Sequence, residues 1–284
     1  MSITLELPQS FTIAPLSATF AAEVTGLDLR RPLDEATRQR IYDAFVRYHV
    51  LCFRDQQLTQ DEQIAFSLQF GELERHTLRN RSTGNPLVHI VSNLGPDGRP
   101  SGKVGSQTWH SDKSFRPEPC MATILHAVML PPAGGNTVFA DMEAAYDALP
   151  EARKAELAPV RVIHSWELSL AKHGIKAPPE EIADAPPMTH PLVRVHPDSG
   201  RRALFMGEHA SHFDGLPMEQ GRAALQELEA FATQERFQYR HVWRPGDMLM
   251  WDNRCLLHRA DANFDAAQYA RVLHRTCLRG TRPD

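Results

Sequence analysis

Short apolar runs, each closed off by Pro, Gly or Asn, recur along this chain and limit what it can fold into more than any other feature. Residues 50–53, 87–91, 121–128, 137–140, 190–196, 203–206, 237–243, 247–251 and 271–278 have the length and bounding residues of strands. Helical periodicity is confined to fewer stretches. Residues 34–49 place Ile41, Phe45 and Tyr48 on one face with Asp34 as the cap. Thr59-Gln60-Asp61-Glu62 is a capping box for a second helix, with Ile64, Phe66 and Leu68 inward and Gly71 at its end. Helices are also expected over 141–158, over 178–183 and after Pro217, where Leu225, Leu228 and Phe231 share a face. Residues 171–187, rich in Lys, Pro and Glu, read as a mobile loop or lid. Many short strands with few outer helices predict a mainly β protein. Its core is expected to be a double-stranded β-helix of the jelly-roll, cupin-like kind, which holds a ligand between its sheets.

No linker or internal repeat divides the 284 residues, so a single domain over 1–284 is expected, with the lid or an insertion around 141–187. A hydrophobic content of 42% suffices for a full core. The net charge of -4 is spread through the chain, which leaves no basic stripe for nucleic acid and no polybasic patch for a membrane. Small molecules are the expected partners. No targeting segment or membrane-length apolar run is visible, and Cys52, Cys120, Cys255 and Cys277 lack the close spacing of a zinc knuckle or disulfide framework. The expected setting is a reducing cytoplasm.

Chemistry enters at Trp109-His110-Ser111-Asp112. On an extended backbone His110 and Asp112 leave the same face and can grip one ion, and His258, at the end of Trp251-Asp252-Asn253-Arg254-Cys255-Leu256-Leu257-His258, completes a set of two His and one carboxylate. Such a set leaves the opposite face of a metal open for a chelating co-substrate and dioxygen, as in non-haem Fe(II) oxygenases. A His-x-Asp dipeptide alone is weak in a chain of 14 His. Context strengthens it: Arg271 and Arg275 stand on one face of the strand predicted at 271–278, and inward guanidiniums call for acidic ligands.

His110-x-Asp112, His258, Arg271 and Arg275 stand in the order and spacing of the taurine and chlorophenoxyacetate dioxygenases, which this chain resembles over nearly its whole length. Further matches are Ala22-Glu23-Val24-Thr25-Gly26-Leu27-Asp28-Leu29, Phe66-Ser67-Leu68-Gln69-Phe70-Gly71-Glu72-Leu73, Gly134-Gly135-Asn136-Thr137 and His190-Pro191-Leu192-Val193-Arg194. The segment from His209 to Pro217 is most similar to the phenoxyacetate branch. The resemblance implies Fe(II) on His110, Asp112 and His258, and 2-oxoglutarate as co-substrate with its far carboxylate on Arg271 and Thr137. It also implies dioxygen as oxidant and ascorbate as a support for activity. The reaction implied is hydroxylation of a C–H bond in a small organic anion with release of succinate and CO2, followed by cleavage where the hydroxylated carbon bears a heteroatom.

An aryloxyalkanoate carboxylate is favoured as substrate, with a sulfonate or sulfate ester as the alternative. Arg275 matches the family arginine that meets the substrate's anionic end, and an internal salt bridge is its other reading. His76 matches a substrate-touching His of the taurine enzymes and equally fits a solvated loop. Strict alternation turns Lys113 to the surface, whereas inward it would select an anion. His209 and His212 read as surface or structural residues, and His274 as packing. Family members are commonly dimers or tetramers, so a homo-oligomer is expected. Of other classes, a zinc hydrolase or a silent metal-binding barrel would fit part of the pattern, and Asp112 argues against a halogenase, which replaces this carboxylate with a small residue.

Overall fold

The computed structural model describes residues 10–75 and 85–284. In chain order its strands and helices begin with β1 (Thr12–Pro15), β2 (Ala22–Thr25), α1 (Glu35–Tyr48), β3 (Val50–Phe53), α2 (Gln60–Leu68), β4 (His89–Ser92), β5 (Cys120–Met129) and β6 (Thr137–Asp141). The middle holds α3 (Met142–Asp147), α4 (Glu151–Leu157), β7 (Arg161–His164), α5 (Trp166–Lys172), α6 (Pro179–Asp184), β8 (Met188–Pro191), β9 (Val193–Val195), β10 (Arg202–Leu204) and β11 (Ala210–Phe213). The chain closes with α7 (Met218–Ala232), β12 (Gln238–His241), β13 (Met248–Asp252), β14 (Leu256–Ala260) and β15 (Val272–Arg279).

Seven strands form one sheet in the order β1-β2-β3-β13-β5-β15-β4, antiparallel except where β2 meets β3. Its centre is apolar on both faces because side chains alternate. Val50, Cys52, Leu249 and Trp251 face one core, while Leu51, Phe53, Met248 and Met250 face the other. The second core is closed by Ile41 and Phe45 of α1 and Phe66 of α2. The first is closed by Phe139, Leu256 and Leu257 of the three-stranded sheet β12-β6-β14, together with residues of β7, β10, β11 and α7. The result is a mixed β core with flanking helices, in which no sheet among the described residues closes on itself. Nor is any described helix long and apolar enough to cross a membrane.

Local signals explain the elements that were legible. Asp34 caps α1 by accepting from the Thr37 N–H, and Thr59 with Glu62 makes the reciprocal capping box of α2. The inward face of α2 differs from expectation. Leu68 is 53% exposed, and the buried positions are Gln63, Phe66 and Ser67. Gln63 donates to the main-chain carbonyls of Ile124 and His274, and Ser67 bonds Thr276, so polar caps on β5 and β15 set the rotation of the helix. The helix expected over 141–158 is two helices. Pro150 stands at the N-cap of α4, where a residue without an N–H ends one helix and starts the next. The stretch 171–187 contains the end of α5 as well as α6, the helix expected over 178–183. β1, β2, β7, β11 and β14 were not anticipated as strands.

His190 of β8 sits against Phe205 and His164, with ring centroids 5.6 and 5.3 Å away, and its Nε2 lies 3.0 Å from the Arg116 carbonyl. Burial lowers its pKa from 6.5 to about 4. The unfolded chain therefore takes up a proton between these values that the folded chain refuses, so stability falls as pH falls through that window and levels off below it. His190→Gln keeps a donor for the carbonyl and does not titrate. We predict that it will flatten the loss of urea midpoint between pH 6.5 and 4, and equal losses in both proteins would assign the acid lability to other groups.

Candidate active site

Backbone pairing brings the two imidazoles together. His258 lies on β14, and His110 forms an isolated antiparallel bridge to it through N–H···O contacts of 3.0 and 2.8 Å. Their ring centroids are 4.1 Å apart. Gly207, at φ 110°, lets a neighbouring segment cross this bridge, since a Cβ there would stand 2.9 Å from the Trp109 carbonyl oxygen.

Asp112 does not continue an extended strand, as its spacing from His110 suggested. The chain turns at this point, and Lys113 takes a left-handed φ of 54°. Asp112 is held instead by hydrogen bonds. The Asn253 side-chain oxygen accepts its N–H at 3.1 Å, Thr123 Oγ1 donates to Oδ2 at 2.6 Å, and Arg275 Nη1 donates to Oδ1 at 2.8 Å. Asn253 also donates to Thr123 Oγ1 at 2.9 Å and accepts from Trp251 Nε1 at 3.2 Å, so the Trp-Asp-Asn run braces the carboxylate.

One donor atom each from His110, Asp112 and His258 lies within 4.8 Å of the other two. His110 Nδ1 is 2.9 Å from the Thr108 carbonyl, which makes Nδ1 the protonated nitrogen and leaves Nε2 its lone pair. Burial keeps His258 neutral. Burial alone would raise the Asp112 pKa, but the Arg275 guanidinium, helped by the Thr123 hydrogen bond, outweighs it and holds the carboxyl well below the usual range. Two neutral imidazoles and an ionised carboxylate with converging donors fit a divalent first-row metal. Three other His, Cys and acid groups converge among the described residues, but Arg201, Arg54 and Arg254 respectively pair with Glu143, Asp247 and Asp252 in them. Those read as structural ion pairs.

The face predicted for Arg271, Leu273 and Arg275 is broken. A register shift between Val272 and Leu273 interrupts alternation, Leu273 is wholly buried in the core, and the two arginines serve different neighbours. Arg275 joins Asp112 and, through Nη2, lies 2.7 Å from His89 Nδ1. Arg271, 5% exposed, donates from Nε to the Gly135 carbonyl at 2.8 Å and reaches Thr137 Oγ1 at 3.5 Å. A Cβ on Gly135 would come within 3.1 Å of the Arg271 side chain, which explains the second glycine of Gly134-Gly135-Asn136-Thr137. Trp243 Nε1 also donates to Thr137 Oγ1, at 3.1 Å. With its lone pairs so used, the Thr137 hydroxyl keeps its own proton to donate.

A pocket opens onto His110, Asp112 and Arg275. Thr137 and Arg271 are not on its wall. Lys113 is, because the left-handed turn defeats strict alternation, and it pairs with the mostly buried Glu74. His76 lies outside the described residues. Sequence reasoning missed most of the remaining wall: Phe115, Trp166, His209, and Glu181 and Asp184 of α6. His209, read as surface or structural, is 9% exposed, touches Ser114 Oγ through Nδ1 at 3.0 Å, and is driven to a pKa of about 3 by burial and then by His110. Its place in the His209 to Pro217 segment was the available signal.

The family model "Taurine catabolism dioxygenase TauD, TfdA family" matches residues 12–277. An alpha-ketoglutarate-dependent 2,4-dichlorophenoxyacetate dioxygenase of Cupriavidus pinatubonensis is 42% identical over 258 residues, covering 86% of this chain and 90% of that protein. An (S)-phenoxypropionate/alpha-ketoglutarate-dioxygenase of Sphingobium herbicidovorans is 39% identical, covering 88% of this chain and 89% of its own length. The crystal structure of AAD-2 with Mn(II) and N-oxalylglycine superposes with a TM-score of 0.86 at 38% identity, covering 96% of this chain and 98% of that one.

Thr123 touches the carboxylate but is not among the three converging donors. Loss of such an outer partner typically weakens metal affinity by about 10–100-fold. We predict that Thr123→Val will do so in a Co(II) titration followed by visible absorption, and unchanged affinity would mean that Arg275 and Asn253 suffice to orient Asp112.

Proposed function

Because this chain belongs to the TauD, TfdA family of dioxygenases, we propose that it hydroxylates an aryloxyalkanoate carboxylate, with 2-oxoglutarate converted to succinate and CO2. The chain is an Fe(II)- and 2-oxoglutarate-dependent non-haem iron dioxygenase. The observation that carries the co-substrate assignment is Arg271: a buried guanidinium for which no ion pair occurs among the described residues, its pKa lowered to about 10 by burial alone. Such a cation needs an incoming anion. Arg271 and the Thr137 hydroxyl suit the far carboxylate of 2-oxoglutarate, and His110, Asp112 and His258 suit the iron.

When bound, iron with dioxygen and the 2-oxo acid supplies the oxidising power. The residues supply placement. Arg271 and Thr137 fix one end of the co-substrate, the Asn253 and Thr123 braces keep Asp112 oriented, and Arg275, anchored on Asp112, presents its remaining donors to the substrate carboxylate at the metal's edge. Glu181 and Asp184 of α6 stand on the pocket wall. The aryloxyalkanoate choice is supported by the relatives named for phenoxy acids, which share about two fifths of their residues with this chain. This reading includes a single double-stranded β-helix domain, a lid within 141–187, a cytoplasmic homo-oligomer and stimulation by ascorbate.

With Fe(II) and 2-oxoglutarate, succinate release should be stimulated by phenoxyacetate more than by taurine or by phenoxyacetamide, and His258→Ala should abolish it. Removing a buried carboxylate partner costs about 2–5 kcal/mol, so Arg271→Ala should raise the KM for 2-oxoglutarate by roughly thirty- to several-thousand-fold. If only the KM of the phenoxy acid rose, the roles of Arg271 and Arg275 would be exchanged, and equal turnover of acid and amide would remove charge as the feature recognised.

A further inference from the structure

We propose that Phe115 and Trp166 form the seat of the substrate's aromatic ring and decide the preference for aryl over alkyl acids. The inference deepens the aryloxyalkanoate reading and rests on it. Phe115 and Trp166 have ring centroids 5.0 Å apart at an interplanar angle of 37°. His209 stands edge-on to Phe115 at 4.8 Å and lies 6.0 Å from Trp166. All three line the pocket that reaches His110 and Asp112.

The placement matches the two ends of the molecule. The cation that suits a carboxylate, Arg275, is bonded to Asp112, whereas the aromatic cluster adjoins the other ligand on the pocket wall, His209 packing edge-on against His110 at 6.5 Å. An aryloxyacetate has its oxidisable CH2 between carboxylate and ring. With the carboxylate on the Asp112 side and the ring against Phe115 and Trp166, that carbon lies before the metal ligands. A straight alkyl chain would fill the same space without the edge-to-face or offset contacts that aromatic walls reward.

The seat is also held in place. Trp166 Nε1 donates to Glu181 Oε2 at 3.2 Å, and Arg116, next to Phe115, donates to the carbonyl and the carboxylate of Asp184 at 2.5 Å each. α6, which carries both acids, has no buried residue of its own. These two ties therefore fix the indole's rotation and hold α6 above it, so the ring platform exists before substrate arrives.

The test is calorimetric titration of the anaerobic Fe(II)- and 2-oxoglutarate-loaded enzyme with phenoxyacetate and with butoxyacetate, a chain of matched charge and similar length. Wild type should favour phenoxyacetate. Phe115→Leu and Trp166→Leu should each reduce the ratio of the two affinities by about two- to tenfold, the size of an aromatic pair. Trp166→Phe, which keeps a ring but loses the tie to Glu181, should retain more of the ratio than Trp166→Leu, and 2-oxoglutarate affinity in every variant reports whether it has folded. Variants that keep the wild-type ratio, or a wild type that binds butoxyacetate as tightly, overturn the seat and leave the carboxylate reading standing. A wild type that binds neither acid yet releases succinate with another substrate overturns the aryloxyalkanoate reading and the seat together.

Discussion

A carboxylate shut away from water must be answered by donors, and the donors that answer Asp112 come from every part of the core. Thr123 donates to it from β5 and Arg275 from β15, Asn253 in the turn between β13 and β14 accepts its backbone N–H and donates to Thr123, and His258 on β14 lies 3.7 Å from its Oδ2. Removing any one donor leaves a charge partly uncompensated in a low-dielectric gap, where such a loss costs several kcal/mol. Asp112 thus ties the position of the metal ligands to the relative placement of the two sheets.

That tie works because the large sheet is braced from behind. Alternation sends Leu51, Phe53, Met248 and Met250 toward α1 and α2, and Val50, Cys52, Leu249 and Trp251 toward the site. Trp251 does both jobs at the boundary: its ring lies 4.7 Å from His258 and its N–H fixes Asn253. Rigid strands, rather than loops, carry the two residues whose angles matter most, His258 and Arg275.

Legibility followed the range of the interactions. The caps of α1 and α2 and the apolar strands were readable because their causes lie within a few residues, and the ligand set was readable because few chemistries use two His and a carboxylate. Asp112 was assigned correctly to the cluster for a wrong reason: the spacing suggested an extended pair, whereas a turn, two distant donors and the Asn253 acceptor place it. Arg271 and Arg275 were thought to share a face, but the register shift before Leu273 depends on partners in β5 that periodicity does not encode. Phe115, Trp166 and His209 went unnoticed as pocket residues since they arrive from a turn, a short helix and the turn before β11, with no spacing to link them.

Charge balance gives the recognition reading its physical basis. Toward the rim, Lys113 is matched by Glu74 and Arg116 by Asp184, so those pairs carry no net charge into the pocket. Nearer the metal, Arg275 is matched by Asp112, and Arg271 has no acidic partner among the described residues. Both imidazoles serve as neutral ligands. A divalent iron therefore brings the inner site to three positive charges, two from the metal and one from Arg271. On the proposed reading 2-oxoglutarate would supply two negative charges and a carboxylic acid substrate the third, which would balance this inner set, while Glu181 on the pocket wall accepts the Trp166 N–H. A closed site penalises any remaining unpaired charge. On that reading an uncharged analogue would leave one positive charge unpaired, which makes selection by charge a property of the whole inner site rather than of Arg275 alone.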